Sequence, residues 1–144
     1  MRVEPSQQRS SGRAKRGWWA AVASFAAFTL VMSVIPLQDA PSVRDLDKVW
    51  HLCQYLLFAW LLVQAIRTNF ASQNLLQDRD PLIASYASHS LLWAWIYASS
   101  YGLLIEVIQA MLPWRSADLL DAAANAAGAA LGVWVGQRIP RRRA

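Results

Sequence analysis

Four long apolar stretches with almost no charge dominate this chain of 144 residues. They run from Trp18 to Leu37, from Val49 to Ile66, from Leu82 to Leu112 and from Leu119 to Ile139. About 20 apolar residues cross the ~30 Å hydrocarbon core of a bilayer as a helix. The sequence therefore predicts an all-α, polytopic membrane protein, a bundle of four transmembrane helices.

The third and fourth stretches differ from simple spans. The third is longer than one span needs, so we expect an interfacial first turn and a helix from near Tyr86. The fourth carries Asp121 and Asn125 and is rich in alanine and glycine, which let helices pack closely. Only 16% of the residues are charged, which agrees with lipid as the surroundings.

The basic residues predict the orientation of the bundle. All but three of the 14 Lys and Arg residues lie in the first, third and fifth of the segments that flank the four spans. Cytoplasmic loops carry an excess of Lys and Arg. We therefore expect both termini in the cytoplasm, with basic tails at residues 1–17 and 140–144 on either side of a membrane domain at 18–139.

A cleaved signal peptide is the alternative interpretation of the first stretch. Its apolar run exceeds the usual 7–15 residues of a signal core, and Gln38-Asp39-Ala40 lacks the small-x-small cleavage pattern. We expect the stretch to be retained. Neither tail interleaves basic and aromatic residues, so we expect contact with membrane lipids and no binding of nucleic acid. Ser6 to Gly12 is expected to lack regular structure.

Polar side chains collect at one end of three predicted helices. Spacings of three, four or seven residues place side chains on one helical face. Such spacings occur in three sets: Asp47, His51 and Tyr55; Glu106 and Gln109; and Asp118, Asp121 and Asn125. Ionisable groups inside a membrane are expensive and usually functional. Together with Lys48 and Arg115, these residues predict one wet, ligand-binding pocket in the outer leaflet.

Several of these groups also have a structural explanation. His51 can be a buried donor that ties two helices together. Asp118 or Ser116 can cap the fourth helix. Glu106 and Arg115 can form an ion pair. The sequence leaves these alternatives open.

Gly128, Gly132 and Gly136 form two overlapping GxxxG patterns on the fourth stretch. Small residues at this spacing let two helix backbones approach closely. We expect the stripe to serve packing within the chain, and a homo-oligomer that uses the same glycines is the alternative.

The polar residues lie in three ordered segments: Asp47-Lys48-Val49-Trp50-His51-Leu52-Cys53-Gln54-Tyr55, then Tyr101-Gly102-Leu103-Leu104-Ile105-Glu106-Val107-Ile108-Gln109, then Pro113-Trp114-Arg115-Ser116-Ala117-Asp118 with Asp121, Asn125 and Gly128. Together they resemble the motifs of the VanZ-like family of bacterial membrane proteins. The departures are Trp50, Trp114 and the Cys53-Gln54 pair. The resemblance implies a multi-pass protein of the bacterial cytoplasmic membrane. It also implies a link to the cell envelope, because the founding member is associated with low-level resistance to the glycopeptide teicoplanin.

Two functions fit the predicted pocket. In the first, it binds the headgroup of a lipid-linked envelope precursor, with Lys48 and Arg115 on a phosphate and the aspartates and Asn125 on sugar hydroxyls or cationic groups. In the second, the protein is a membrane-embedded hydrolase or transferase, with His51 as base or nucleophile and Glu106 as acid. A transporter is less favoured, because no inverted repeat is evident.

A hard divalent cation is a variant of the enzyme hypothesis. Its ligands would be His51, Glu106, Asp118 and Asp121, since carboxylates suit such ions. No spacing in the chain is specific for a metal, and a lone histidine is a poor zinc motif. We therefore predict no resident metal and no cofactor.

Reporter fusions test the predicted orientation. Fusions at residue 10, near Asn74 and at residue 142 should report the cytoplasm, and fusions near Ala40 and Ser116 should report the outside, because basic residues are retained inside. The measurement is the paired activity of a reporter active only inside and one active only outside. A fusion at residue 142 that reports the outside would contradict the fourth span.

Overall fold

The chain is all-helical in the part that the structure, a computed structural model, describes: residues 5–36, 44–72, 81–115 and 118–139. The helices are α1 Pro5–Val34, α2 Arg44–Ser72, α3 Pro81–Ala110 and α4 Leu119–Arg138. The parts long and apolar enough to cross a membrane are Gly12–Val34, Asp47–Asn69, His89–Ala110 and Leu119–Arg138. The predicted all-α fold with four membrane-spanning helices is confirmed, and its orientation stays a prediction.

Two helices begin earlier than the sequence suggested. α1 begins at Pro5, so the expectation that Ser6 to Gly12 lack regular structure is wrong. α3 begins at Pro81 and not near Tyr86. Proline suits a first helical turn, because its ring presets φ and its missing N–H needs no partner there. The last residues, 140–144, lie outside the described part of the chain.

α2 and α4 form the centre of the bundle through the glycine stripe. A Cβ atom added to Gly128 would overlap the carbonyl oxygen of Leu52, and one added to Gly132 would overlap that of Leu56. At Gly136 an added Cβ would lie 2.9 Å from a methyl carbon of Val63. The stripe is therefore covered by α2 of the same chain, as expected for intramolecular packing.

α1 packs against α2 and α3 through aromatic rings and a few hydrogen bonds. Phe25 stacks on Phe58 at 6.0 Å between ring centroids, and Phe58 contacts Tyr101 at 5.4 Å. The buried amide of Gln54 donates to the hydroxyl of Thr29 at 2.9 Å. A hydrogen-bonded polar pair of this kind fixes the register of α1 on α2, because neither group would find a hydrogen-bond partner in lipid if the helices shifted.

Large apolar side chains cover the outside of the bundle. Trp50, Leu92, Trp93, Leu103 and Val107 each leave more than half of their surface uncovered by protein. A surface with so many large, exposed apolar side chains is rare on proteins that face water. Here they supply the lipid-facing surface that four membrane-spanning helices require.

Two arginines donate hydrogen bonds to backbone carbonyls at the C-terminal ends of neighbouring helices. Arg67 of α2 donates to the carbonyls of Gly136, Gln137 and Ile139, where α4 ends. Arg115, which follows α3, lies 3.4 Å from the carbonyls of both Met32 and Ile35, where α1 ends. The last carbonyls of a helix lack intrahelical partners and carry partial negative charge, so a guanidinium stabilises them.

Replacement of Gly132 by alanine tests the contact between α2 and α4. Gly132→Ala should destabilise the protein by about 1–3 kcal/mol, because the added methyl forces the two backbones apart. Gly17→Ala is the matched control: nothing lies within 4 Å of the added Cβ, so this variant should keep or slightly raise stability. The measurement is thermal unfolding in detergent. Equal melting temperatures for the two variants would show that the stripe does not hold α2 and α4 together.

Candidate functional site

The predicted polar residues meet at one end of the bundle, where α1 and α3 end and α2 and α4 begin. We call this the polar end. α2 contributes Asp47, Lys48, His51 and Tyr55, α3 contributes Glu106, and α4 contributes Asp121 and Asn125 together with its capping residue Asp118. We refer to these eight residues as the polar cluster. The predicted convergence of three helices is present in the structure.

His51 is the link between α2 and α4. Its Nδ1 atom lies 3.0 Å from the side-chain oxygen of Asn125. An amide oxygen accepts and cannot donate, so Nδ1 carries the hydrogen and Nε2 keeps its lone pair in the neutral ring. Nε2 faces a carboxylate oxygen of Asp47 at 3.8 Å and one of Asp121 at 4.0 Å. Asn125 of α4 thus orients the imidazole, and Nε2 faces one acid on α2 and one on α4.

Asp118 caps α4 and connects it to α3. Its carboxylate accepts from the backbone N–H of Leu120 at 2.8 Å, and its backbone is extended, as is usual for a cap. Its own N–H donates to a carboxylate oxygen of Glu106 at 3.3 Å. The capping role considered for Asp118 is confirmed, and Ser116, the alternative cap, lies outside the described residues.

Lys48 supplies positive charge to the polar cluster. Its ammonium lies 3.5 Å from Asp118 and 3.7 Å from Asp121. Four carboxyl groups share this end of the bundle, those of Asp47, Glu106, Asp118 and Asp121. The described basic side chains within 4 Å of these carboxyl groups include Lys48 and the imidazole of His51.

Four buried polar atoms of the polar cluster lack a hydrogen-bond partner within the described part of the chain. They are the hydroxyl of Tyr55, one oxygen each of Glu106 and Asp121, and the side-chain nitrogen of Asn125. All four residues are at most 7% exposed. Buried polar groups in native proteins are nearly always hydrogen-bonded, so these atoms require water or a ligand.

Gly102 lets two of these groups come together. A Cβ at this position would lie only 3.0 Å from the side chains of both Asn125 and Tyr55. Gly102 lies in the second polar segment, but the sequence alone gives it no role of its own. The available signal was its place one helical turn before Glu106, on the same face of α3.

Two predicted pocket residues face another way. The amide of Gln109 donates to the carbonyl of Ser33 at 3.2 Å, and the guanidinium of Arg115 lies against the end of α1. No ion pair within 4 Å joins Arg115 to Glu106, although the structure describes both side chains. With Trp114, which donates to the carbonyl of Val34 at 3.2 Å, these residues hold the end of α1.

The fold and the polar cluster together define a class: a small polytopic membrane protein with an acid-rich, histidine-containing site at one end of a four-helix bundle. A family model, VanZ/LLP1, matches residues 3–139, and the chain belongs to this family. The resemblance inferred from the three polar segments is confirmed. No curated protein and no solved structure matches the chain.

Neutral isosteres distinguish a ligand site from structural polar contacts. Glu106→Gln and Asp121→Asn should keep or raise the melting temperature, because each removes a buried charge that has an unpartnered oxygen. Gln54→Leu should lower stability by about 1 kcal/mol, because it leaves the buried hydroxyl of Thr29 without its partner. Thermal unfolding in detergent measures all three. Early melting of the two acid variants, to the same extent as Gln54→Leu, would identify the acids as scaffold.

Proposed function

We propose that the polar cluster binds the polar headgroup of an envelope lipid in the outer leaflet of the bacterial cytoplasmic membrane. Membership of the VanZ/LLP1 family supports a multi-pass membrane protein. The distribution of Lys and Arg supports the orientation, which puts the polar end on the outside. A headgroup lies at the same depth as this end of the bundle.

The four unpartnered buried atoms carry the proposal. They belong to three different helices, and two of the residues, Asn125 and Asp121, face His51, so chance placement on one helix does not explain them. Leaving a buried donor or acceptor unsatisfied costs about 1–3 kcal/mol each. A ligand with several hydroxyl or amine groups satisfies donors and acceptors together.

The charge of the polar cluster favours one kind of headgroup. Carboxylates accept hydrogen bonds from hydroxyls and amines, whereas they repel phosphate. Lys48 is already paired with Asp118 and Asp121, and Arg115 is occupied at the end of α1. The direct partners of the acids are therefore sugar hydroxyls or a cationic amine. Tyr55 and Asn125 supply donors for an ether, carbonyl or hydroxyl oxygen.

A membrane-embedded hydrolase or transferase acting on a lipid-linked substrate is the second candidate. The observation that favours it is the orientation of His51, since Asn125 holds the ring so that the free lone pair of Nε2 faces the site. A lone pair so placed suits a general base, with Glu106 as the acid. Envelope processes, including the glycopeptide resistance associated with the family, fit either candidate.

Native mass spectrometry of gently extracted protein tests the binding proposal. The wild-type chain should retain one lipid, and Asp121→Asn and His51→Gln should each lower the retained fraction at least tenfold, because each removes a group that faces the bound headgroup. Asp78→Asn is the matched control, since it removes the same charge from the segment between α2 and α3 in the sequence. It should retain lipid as the wild type does.

Two outcomes separate the candidates. A retained lipid of unchanged mass supports binding, and turnover of the added lipid to a smaller product that requires His51 supports the enzyme. Equal lipid retention by the wild type, Asp121→Asn and His51→Gln would contradict the binding proposal, and turnover by His51→Gln at the wild-type rate would contradict the enzyme.

A further inference from the structure

Three potential metal ligands lie together in the polar cluster. One ligand atom each from Asp47, His51 and Asp121 lies within 4.8 Å of the other two. They come from two helices, and the register of α2 on α4 brings them together. The sequence predicted no resident metal, because no spacing in the chain is specific for a metal and a lone histidine is a poor zinc motif.

We propose that Asp47, His51 and Asp121 bind one divalent metal ion, Zn²⁺ or Mn²⁺, through Nε2 of the imidazole and one oxygen of each carboxylate. Imidazole suits zinc and other transition metals, and carboxylates suit manganese as well as harder ions. A site with one nitrogen and two oxygen ligands therefore selects against Mg²⁺ and Ca²⁺, which bind through oxygen. Positions not taken by the protein remain for water or a ligand.

The tautomer of His51 is the first independent observation. Metal-binding histidines usually donate their second ring N–H to an oxygen, which orients the ring. Nδ1 of His51 has such an oxygen in Asn125 at 3.0 Å. Nε2 then presents a lone pair to two carboxylates at 3.8 and 4.0 Å. In the neutral ring, the lone pair on Nε2 and the two anions repel one another, so this position requires either a proton or a metal ion between them.

The burial of Asp121 is the second observation. The residue is 7% exposed, and its Oδ1 atom lacks a hydrogen-bond partner within the described residues. Lys48 approaches this same Oδ1 at 3.7 Å, whereas Oδ2 faces His51. The unpartnered Oδ1 thus lies toward Lys48, and Oδ2, on the side of the imidazole, is the oxygen that would bind the ion. Buried carboxylates are typically paired or bound to a metal.

The spacing of the ligands is compatible with an ion after small adjustments. Bonds of about 2.1 Å at tetrahedral angles separate ligand atoms by roughly 3.4 Å. The two distances from Nε2, 3.8 and 4.0 Å, are roughly half an ångström longer, and the three ligand atoms lie within 4.8 Å of one another, so binding requires that the carboxylates move inward. The side chain of Asp47 is 59% exposed, so it is free to rotate toward the ion and gives the ion a path from water.

Metal binding goes beyond the proposed function and does not depend on it. The ion would add positive charge to an acid-rich site, and a phosphate would then be accepted where carboxylates alone repel it. The metal is tested alone, without lipid, so the two proposals succeed or fail separately. Lipid retention without metal would leave the headgroup proposal intact, and metal binding without lipid would leave the ion site intact.

The experiment measures ion binding to the full chain in detergent, purified without a polyhistidine tag and stripped with a chelator. Equilibrium dialysis against Zn²⁺ and Mn²⁺, read by elemental analysis, should give one ion per chain. Asp47→Asn, His51→Gln and Asp121→Asn should each weaken binding by at least about tenfold. His89→Gln and Asp78→Asn are the matched controls, because they remove the other histidine and an aspartate from the segment between α2 and α3 in the sequence, and they should bind as the wild type does.

X-ray absorption of the zinc-loaded wild type identifies the atoms bound to the ion, and it tests the proposal even if a variant fails to fold. The expected first shell holds one imidazole and oxygen ligands. The proposal is overturned by failure of the wild type to bind one equivalent, by equal affinity in His51→Gln and the wild type, or by a shell without imidazole.

Discussion

The contact between the glycine face of α4 and the backbone of α2 governs the rest of the structure. Gly128 lies against the carbonyl of Leu52, and Gly132 against that of Leu56. His51 precedes Leu52 in the chain, and Asn125 lies about one turn before Gly128. Close approach of the two backbones therefore places the His51 ring 3.0 Å from the Asn125 amide. A wider helix pair would separate the histidine from the amide and from Asp121.

The other two helices complete this pair. α3 brings Glu106 to the cap of α4 and leaves room for Tyr55 and Asn125 at Gly102. α1 contacts the bundle through aromatic rings, and side chains from α3 and the loop after it hold its end by its last carbonyls. Polar residues at this end thus divide into two groups. One group holds α1, and the other forms the polar cluster.

Much of this was predictable from sequence because lipid restricts the options. The length of each apolar stretch predicts a span, and helical periodicity places Asp47 beside His51 and Asp121 beside Asn125. The three polar segments also identified the family. The direction of Arg115 was not predictable, since a loop residue can reach acids or free carbonyls and only the packing of α1 decides. The ligand group of Asp47, His51 and Asp121 likewise depends on helix register, which no local spacing encodes.

Cysteine labelling tests most directly whether the polar cluster is a wet site open to the outside. A cysteine is placed at position 121 and exposed to a small, charged thiol reagent that does not cross membranes. Asp121→Cys would be made in a chain whose single cysteine is replaced, Cys53→Ser, and labelled in intact cells. Val133→Cys on the same helix, where the residue is 8% exposed and packs in the apolar core, is the reference. We expect fast labelling at position 121 and none at 133. Absence of labelling at position 121, or labelling only after the cells are opened, would contradict an outer-leaflet pocket.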